Sequence, residues 1–141
     1  MRIGLVQGRM GPDDFLNEGL FIGSRKKKNG GSKLVKIRHF RSHFGTDPEI
    51  ASSIWTRIRC NPKNELPRNA KTRHLLWALL FMKTYTTDSV LCGIAGGVDP
   101  KTFRKWRTIF IKEIAKLASE EVSKFVDVHE YFIHFIYPFE I

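Results

Sequence analysis

Residues 88–106 read DSVLCGIAGGVDPKTFRKW and contain the clearest structural pattern in the sequence. A short apolar run leads into a glycine-rich turn, after which Asp99 and Pro100 have the pattern of an N-cap followed by the first residue of a new helix. The pattern predicts two helices joined by a tight turn, the order of a DNA-binding helix-turn-helix, from about Asp88 to Leu117.

Gly93 and Gly97 have separate predicted roles in this turn. Gly93 lies near the middle of the first short helix, where we expect a larger side chain to strike the second helix. Gly97 is expected to supply the positive φ of the turn, with Val98 pointing back into the core. Cys92, beside Gly93, is expected to face inward.

The second helix has two predicted faces. Apolar residues recur at three and four positions and predict one buried face: Phe103, Trp106, Phe110, Ile114 and Leu117. Polar side chains occupy the first two to three turns of the opposite face, where a recognition helix contacts bases and phosphates. The candidate DNA-binding residues are Lys101, Thr102, Arg104, Lys105, Arg107 and Thr108. An ordinary helical hairpin with a solvated basic face explains the same pattern.

Two further helices are predicted upstream. Thr46, Asp47, Pro48 and Glu49 combine a cap, an early proline and an acidic first turn, so a helix should start here and continue to about Arg59. After a polar connection, a helix is expected at about 72–85. Its residues 75–82 are continuously apolar, which makes this helix the predicted centre of the core.

The first 42 residues are predicted to be a flexible basic arm, because residues 1–32 lack a sustained helical or strand period. The arm suits phosphate contacts or nuclear import, and a merely solubilising tail is the alternative. Its basic residues are Arg25, Lys26, Lys27, Lys28, Lys33, Lys36, Arg38 and Arg41. Residues 43–122 are the predicted helical DNA-binding domain, and 123–141 form a short apolar tail.

Composition limits the class of protein. A chain of 141 residues has room for one modest core, so the predicted fold is an all-α, small helical bundle. Its formal charge of +10 favours nucleic acid, an anionic membrane or acidic proteins. Cys60 and Cys92 are too few for a disulfide framework or a four-ligand zinc site. No stretch reaches the roughly 20 apolar residues of a membrane span, so we expect a soluble intracellular protein. Neither a cofactor nor a metal site is expected.

Three blocks resemble one known family. HFGTDPEIASSIW (43–55), RHLLWALLFMKTY (73–85) and SVLCGIAGGVDPKTFRKW (89–106) resemble the helical N-terminal region of Harbinger-like transposases of the DDE superfamily. The resemblance covers roughly residues 40–120 and implies a nuclear protein that binds the DNA ends of a transposable element. It also implies a separate nuclease domain, which a partner transposase chain would supply.

The chain itself is not expected to be an enzyme. The family's three metal-binding acidic residues lie on a mixed sheet far longer than the 24 residues after Leu117, so none of the late carboxylates is placed in a metal site. His129 and His134 lack further ligands, and metal binding there is not expected. From about Val122 the sequence departs from the family and reads as a remnant strand or an altered reading frame.

Other functions fit the same sequence. The chain could complete an enzyme with a nuclease-bearing partner. It could be a protein-interaction module whose apolar tail, Phe125 to Phe139, docks on another chain. It could also be a non-functional fragment of a transposable element. The DNA site and the oligomeric state do not follow from the sequence.

Overall fold

The computed structural model describes residues 11–23 and 32–121, and these residues form an all-helical bundle. The all-α prediction is therefore confirmed. Six helices follow one another in the described residues: α1 Pro12–Gly23, α2 Lys33–Phe44, α3 Pro48–Cys60, α4 Thr72–Thr84, α5 Asp88–Ile94 and α6 Pro100–Glu121.

Helix α4 lies at the centre of the core, as predicted. Every residue from Leu75 to Leu80 is buried, and Phe81 and Met82 pack against the same cluster. A helix that is apolar on most faces must be covered on most faces. Helices α1, α2, α3 and α6 all contact α4 and provide that cover.

Helix α3 begins at Pro48, as predicted, and buries the stripe that contains Ala51, Trp55 and Ile58. Asp47 occupies the N-cap position but makes no side-chain cap hydrogen bond. Its carboxylate instead receives the Arg41 guanidinium, with Nε 2.8 Å and Nη2 2.6 Å from Oδ1. This ion pair ties the end of α2 to the start of α3.

The prediction of a flexible arm over residues 1–42 is wrong for the residues that form α1 and α2. Phe15, Leu16 and Ile22 of α1 are buried, as are Phe40 and Phe44 of α2. Five large apolar side chains therefore join the core, which offsets the entropy of ordering these helices. The basic residues 25–28 lie outside the described residues.

Gly19 allows α1 and α2 to cross closely. A Cβ atom built on Gly19 would lie 2.3 and 2.5 Å from two atoms of the Phe40 ring and 3.0 Å from the Phe44 ring. Real Cβ atoms are not found at such distances, and both rings are fixed in the core. A glycine is therefore required at this crossing.

The connection between α3 and α4 is held on α6 by a buried carboxylate. Glu113 of α6 is only 2% exposed, and its Oε2 accepts hydrogen bonds from the Glu65 backbone N–H at 3.0 Å and from Lys116 Nζ at 3.1 Å. Lys116 also donates to the Lys63 carbonyl at 2.9 Å. The charge of Glu113 is thus compensated inside the fold.

Candidate nucleic-acid interface

Helices α5 and α6 begin with side-chain caps. The Thr87 hydroxyl accepts the Val90 N–H at 3.4 Å at the start of α5. At the start of α6, Asp99 Oδ2 accepts the N–H groups of Lys101 and Thr102 at 3.1 and 3.2 Å. The N-cap predicted at Asp99 is confirmed, and it fixes the direction in which α6 leaves the turn.

The turn between these helices uses two glycines. Gly97 has φ +84°, as predicted, and Gly96 has φ +108°. The Gly97 N–H donates to the Cys92 carbonyl at 2.8 Å, and the Gly96 N–H donates to the Gly93 carbonyl at 3.2 Å. These two bonds form a Schellman motif, in which Gly96 occupies the left-handed position that ends α5.

The role predicted for Gly93 is wrong. Gly93 is exposed, and a Cβ built on it would have no neighbour within 4 Å. Leu91 and Cys92 face the interior instead, and Val98 packs against the core as expected. Burial raises the pKa of the Cys92 thiol, with a smaller contribution from Asp88, so this thiol stays protonated and packed.

The predicted buried face of α6 is confirmed. Phe103, Trp106, Phe110, Ile114 and Leu117 are all buried. This face holds α6 firmly on the bundle. The opposite side of its first turns therefore presents a fixed surface to solvent.

Part of the predicted DNA-binding set forms one exposed ladder on that surface. Lys101, Lys105 and Thr108 are exposed and follow each other at intervals of four and three residues, and exposed Lys112 continues the same row. Thr102 is also exposed beside Lys101, at the N-terminus of the helix. We refer to Lys101, Lys105, Thr108 and Lys112 as the α6 ladder.

Arg104 and Arg107 lie on the flank of α6 that faces α5. Arg107 Nη2 lies 3.2 and 3.3 Å from the two carboxylate oxygens of Asp88, and Arg104 Nε lies 3.3 Å from one of them. The Arg107 side chain is only 17% exposed, and its guanidinium lies 4.0 Å from the centroid of the Phe81 ring. Arg107 therefore joins α4, α5 and α6, while Arg104 remains half exposed.

Two cations near the α6 ladder, Lys71 and Arg73 at the start of α4, were not singled out in the sequence analysis. The buried His74 ring stacks on Trp106, with centroids 3.9 Å apart and an angle of 5° between planes. The Lys71 N–H donates to His74 Nδ1 at 3.0 Å, and Lys105 Nζ lies 5.2 Å from the Trp106 centroid. The stacking of His74 on Trp106 therefore brings the exposed residues Lys71 and Arg73 at the start of α4 close to Lys105 of α6.

The electrostatics of His74 agree with this arrangement. Burial and, in decreasing order of size, the charges of Arg73, Lys71 and Lys105 together lower the pKa of His74 from 6.5 to about 4. Three cations from two helices thus act on one buried ring. The only sign of this cluster in the sequence was that two basic residues, Lys71 and Arg73, flank Thr72 at the start of α4.

The basic residues of the predicted arm have varied surroundings. Lys33 Nζ lies 3.4 Å from Asp13, but both side chains are strongly exposed, so this ion pair contributes little stability. Arg41 is paired with Asp47, Lys36 is half-buried, and Arg38 is exposed. Among the described residues, no hydrogen bond or ion pair joins any of these four residues to the α6 ladder.

The described residues contain neither a metal-binding cluster nor a membrane-spanning helix. Residues 11–23 and 32–121 contain no group of three or more His, Cys, Asp or Glu side chains placed to hold a metal ion. No helix in those ranges is long and apolar enough to cross a membrane. The histidines at 129 and 134 and the acidic residues beyond 121 lie outside the described residues.

No family model, no curated protein and no solved structure gives a significant match to this chain. The function must therefore be inferred from the geometry and charge of the chain's own residues.

Arg107 should contribute more to the stability of the fold than the exposed cations of the same helix do. Arg107→Ala should lower the free energy of unfolding by about 1–2 kcal/mol, because it uncovers Phe81 and leaves Asp88 with Arg104 alone. Lys101→Ala, on the exposed face of the same helix, should change it by less than about 0.5 kcal/mol. Urea unfolding of both variants measures the difference. Equal stabilities would show that Arg107 does not join the helices.

Proposed function

We propose that this chain is a DNA-binding module in which α5 and α6 act as a helix-turn-helix and α6 is the recognition helix. The observation that carries the proposal is the α6 ladder, whose lysines project from the first four turns of a helix that is held in place by its buried face. Lys71 and Arg73 extend the same surface from the start of α4. A formal charge of +10 adds a general attraction for a polyanion.

The residues of this surface suit different contacts. Lysine ammonium groups are point charges that neutralise phosphates, so Lys71, Lys101 and Lys105 are assigned to the DNA backbone. Thr102 and Thr108 have hydroxyl groups that can donate to phosphates and can either donate to or accept from base edges. Half-exposed Arg104 is the remaining candidate for bidentate contact with a guanine, while Arg107 positions the helix.

The transposase resemblance extends the proposal to a biological setting. In this view the module binds the ends of a transposable element in the nucleus, without nuclease activity of its own. A separate transposase chain would provide cleavage. The support is the set of three sequence blocks at 43–55, 73–85 and 89–106, which supply α3, α4 and the α5–α6 unit.

The double substitution Lys101→Ala with Lys105→Ala tests the surface. It should weaken binding to duplex DNA roughly tenfold at moderate salt and reduce the slope of log K against log salt by about 2, one unit for each lost phosphate contact. Anisotropy titrations at several salt concentrations measure both quantities. Thermal unfolding should be unchanged, because both side chains are exposed.

A charge-matched control is Lys63→Ala with Lys83→Ala. Both residues are exposed, and Lys83 lies at the opposite end of α4 from Lys71. This variant loses the same charge but should retain most of the affinity. Equal losses in the two double variants would reduce the interaction to general charge attraction. Sequencing of duplexes selected from a random pool near physiological salt then determines whether the module prefers a defined site.

A further inference from the structure

An open apolar groove lies on a different side of α6 from the ladder. It runs between α3 and the C-terminal half of α6 and has a volume of about 500 Å³. Ile114, Leu117 and Ala118 form its α6 wall, and Ile50 and Ile54 form the apolar part of its α3 wall. Glu49, Ser53 and Arg57 complete the lining.

The groove presents apolar surface that a soluble fold normally covers. Ile50 is 50% exposed, although it lies on the same helix as the buried residues Ala51 and Ile58. Ile50 and the partly buried Ile54 therefore offer apolar surface on which another segment can pack.

The chain continues directly from the groove. Leu117 and Ala118 lie one helical turn before Glu121, the last residue of α6, and residues 122–141 follow. Twenty residues can span up to about 70 Å when extended, whereas α3 with its 13 residues is only about 20 Å long. Length therefore does not prevent these residues from turning back along α3.

Composition and charge also favour this occupant. Twelve of the twenty residues from 122 to 141 are apolar, and six of the twelve are aromatic. The segment contains one lysine, Lys124, and three acidic residues, Asp127, Glu130 and Glu140, so the formal charge of the segment is −2. Since the whole chain carries +10, residues 1–121 carry +12. An acidic aromatic segment is complementary to an apolar groove on a basic body.

We propose that residues 122–141 dock in cis into the groove between α3 and α6. The aromatic side chains of this segment would cover Ile50 and Ile54. Docking on this side leaves the α6 ladder exposed. The inference therefore does not depend on whether the chain binds DNA.

Disulfide trapping in the full chain tests the proposal. In a Cys60→Ser background, Ile50→Cys is combined in turn with Phe125→Cys, Phe132→Cys and Phe139→Cys, three positions at seven-residue intervals that sample different registers. Val90→Cys is the matched control, because Val90 on α5 is 51% exposed and Ile50 is 50% exposed. Mild oxidation at low protein concentration should give an intrachain disulfide at least fivefold faster with Ile50→Cys for one or more partners.

Two outcomes of the trapping experiment would overturn the proposal. Equal rates for the Ile50→Cys and Val90→Cys series would show that the segment does not prefer the groove. Interchain disulfides that increase with protein concentration and outnumber intrachain ones would show that a second copy fills the groove. Mass spectrometry and non-reducing gels separate the two products.

Limited proteolysis provides a second readout that requires no new cysteine. Ile50→Glu places a charge in the groove and should increase chymotrypsin cleavage at aromatic residues between 125 and 139 by severalfold. Val90→Glu should leave this rate unchanged. Thermal unfolding of each variant verifies that the bundle remains folded. Unchanged cleavage in a folded Ile50→Glu variant would contradict docking in the groove.

Discussion

Replacing Gly19 with alanine should lower the free energy of unfolding by about 2–3 kcal/mol. The added methyl group would lie 2.3 and 2.5 Å from atoms of the Phe40 ring, so α1 and α2 must move apart or the ring must leave its position. Phe40 is only 1% exposed and belongs to the central core, so neither change is local. The higher helix propensity of alanine offsets at most about 1 kcal/mol of this cost. Urea unfolding monitored by circular dichroism measures the loss.

Gly93→Ala is the matched control, since it makes the same change in another helix. Gly93 is exposed and its Cβ would meet no atom within 4 Å, so helix propensity alone should raise the stability by about 0.5–1 kcal/mol. The two substitutions are therefore expected to have opposite signs. A stabilising Gly19→Ala would show that α1 and α2 do not cross at this residue.

The contrast between Gly19 and Gly93 shows which parts of this fold the sequence could predict. Helices α3, α4 and α6 were predictable because each has a cap or breaker at its start and a long apolar pattern. Helix α1 has only 12 residues, and two of them are glycines. Its apolar residues could be identified as part of the core only from their packing against α2. Whether a helical glycine lies at a crossing depends on the partner helix, which local sequence does not identify.

The sequence predicted the two faces of α6 in the candidate site but not the contacts between α6 and its neighbouring helices. The helical period correctly separated the buried face of α6 from Lys101, Lys105 and Thr108 on the opposite side. It did not reveal that Arg107 pairs with Asp88, nineteen residues earlier, because that contact depends on how α5 packs on α6. Lys71 and Arg73 were missed for the same reason, since stacking between His74 and Trp106 brings them to α6.

The stability of the protein should decrease between pH 6.5 and pH 4 because of His74. The ring is 6% exposed, and Nδ1 accepts the Lys71 N–H, so the folded state holds the neutral form with its proton on Nε2. Burial, followed by the neighbouring cations, lowers the folded-state pKa from 6.5 to about 4. The unfolded chain therefore binds a proton at a higher pH than the folded chain does. The stabilisation is complete above pH 6.5, and about 3 kcal/mol is lost by pH 4.

His74→Gln isolates this contribution from the carboxylates that titrate in the same range. The His74→Gln variant loses the stacking on Trp106, so it is less stable than the native chain at every pH. Its glutamine side chain, however, cannot gain a proton. The stability difference between the native chain and His74→Gln should therefore shrink by about 3 kcal/mol from pH 7 to pH 4. Urea unfolding of the native chain and of His74→Gln at unit pH intervals measures this difference. A constant difference for His74→Gln would mean that His74 protonates without cost, and that the ring is not buried against Trp106 as the structure places it.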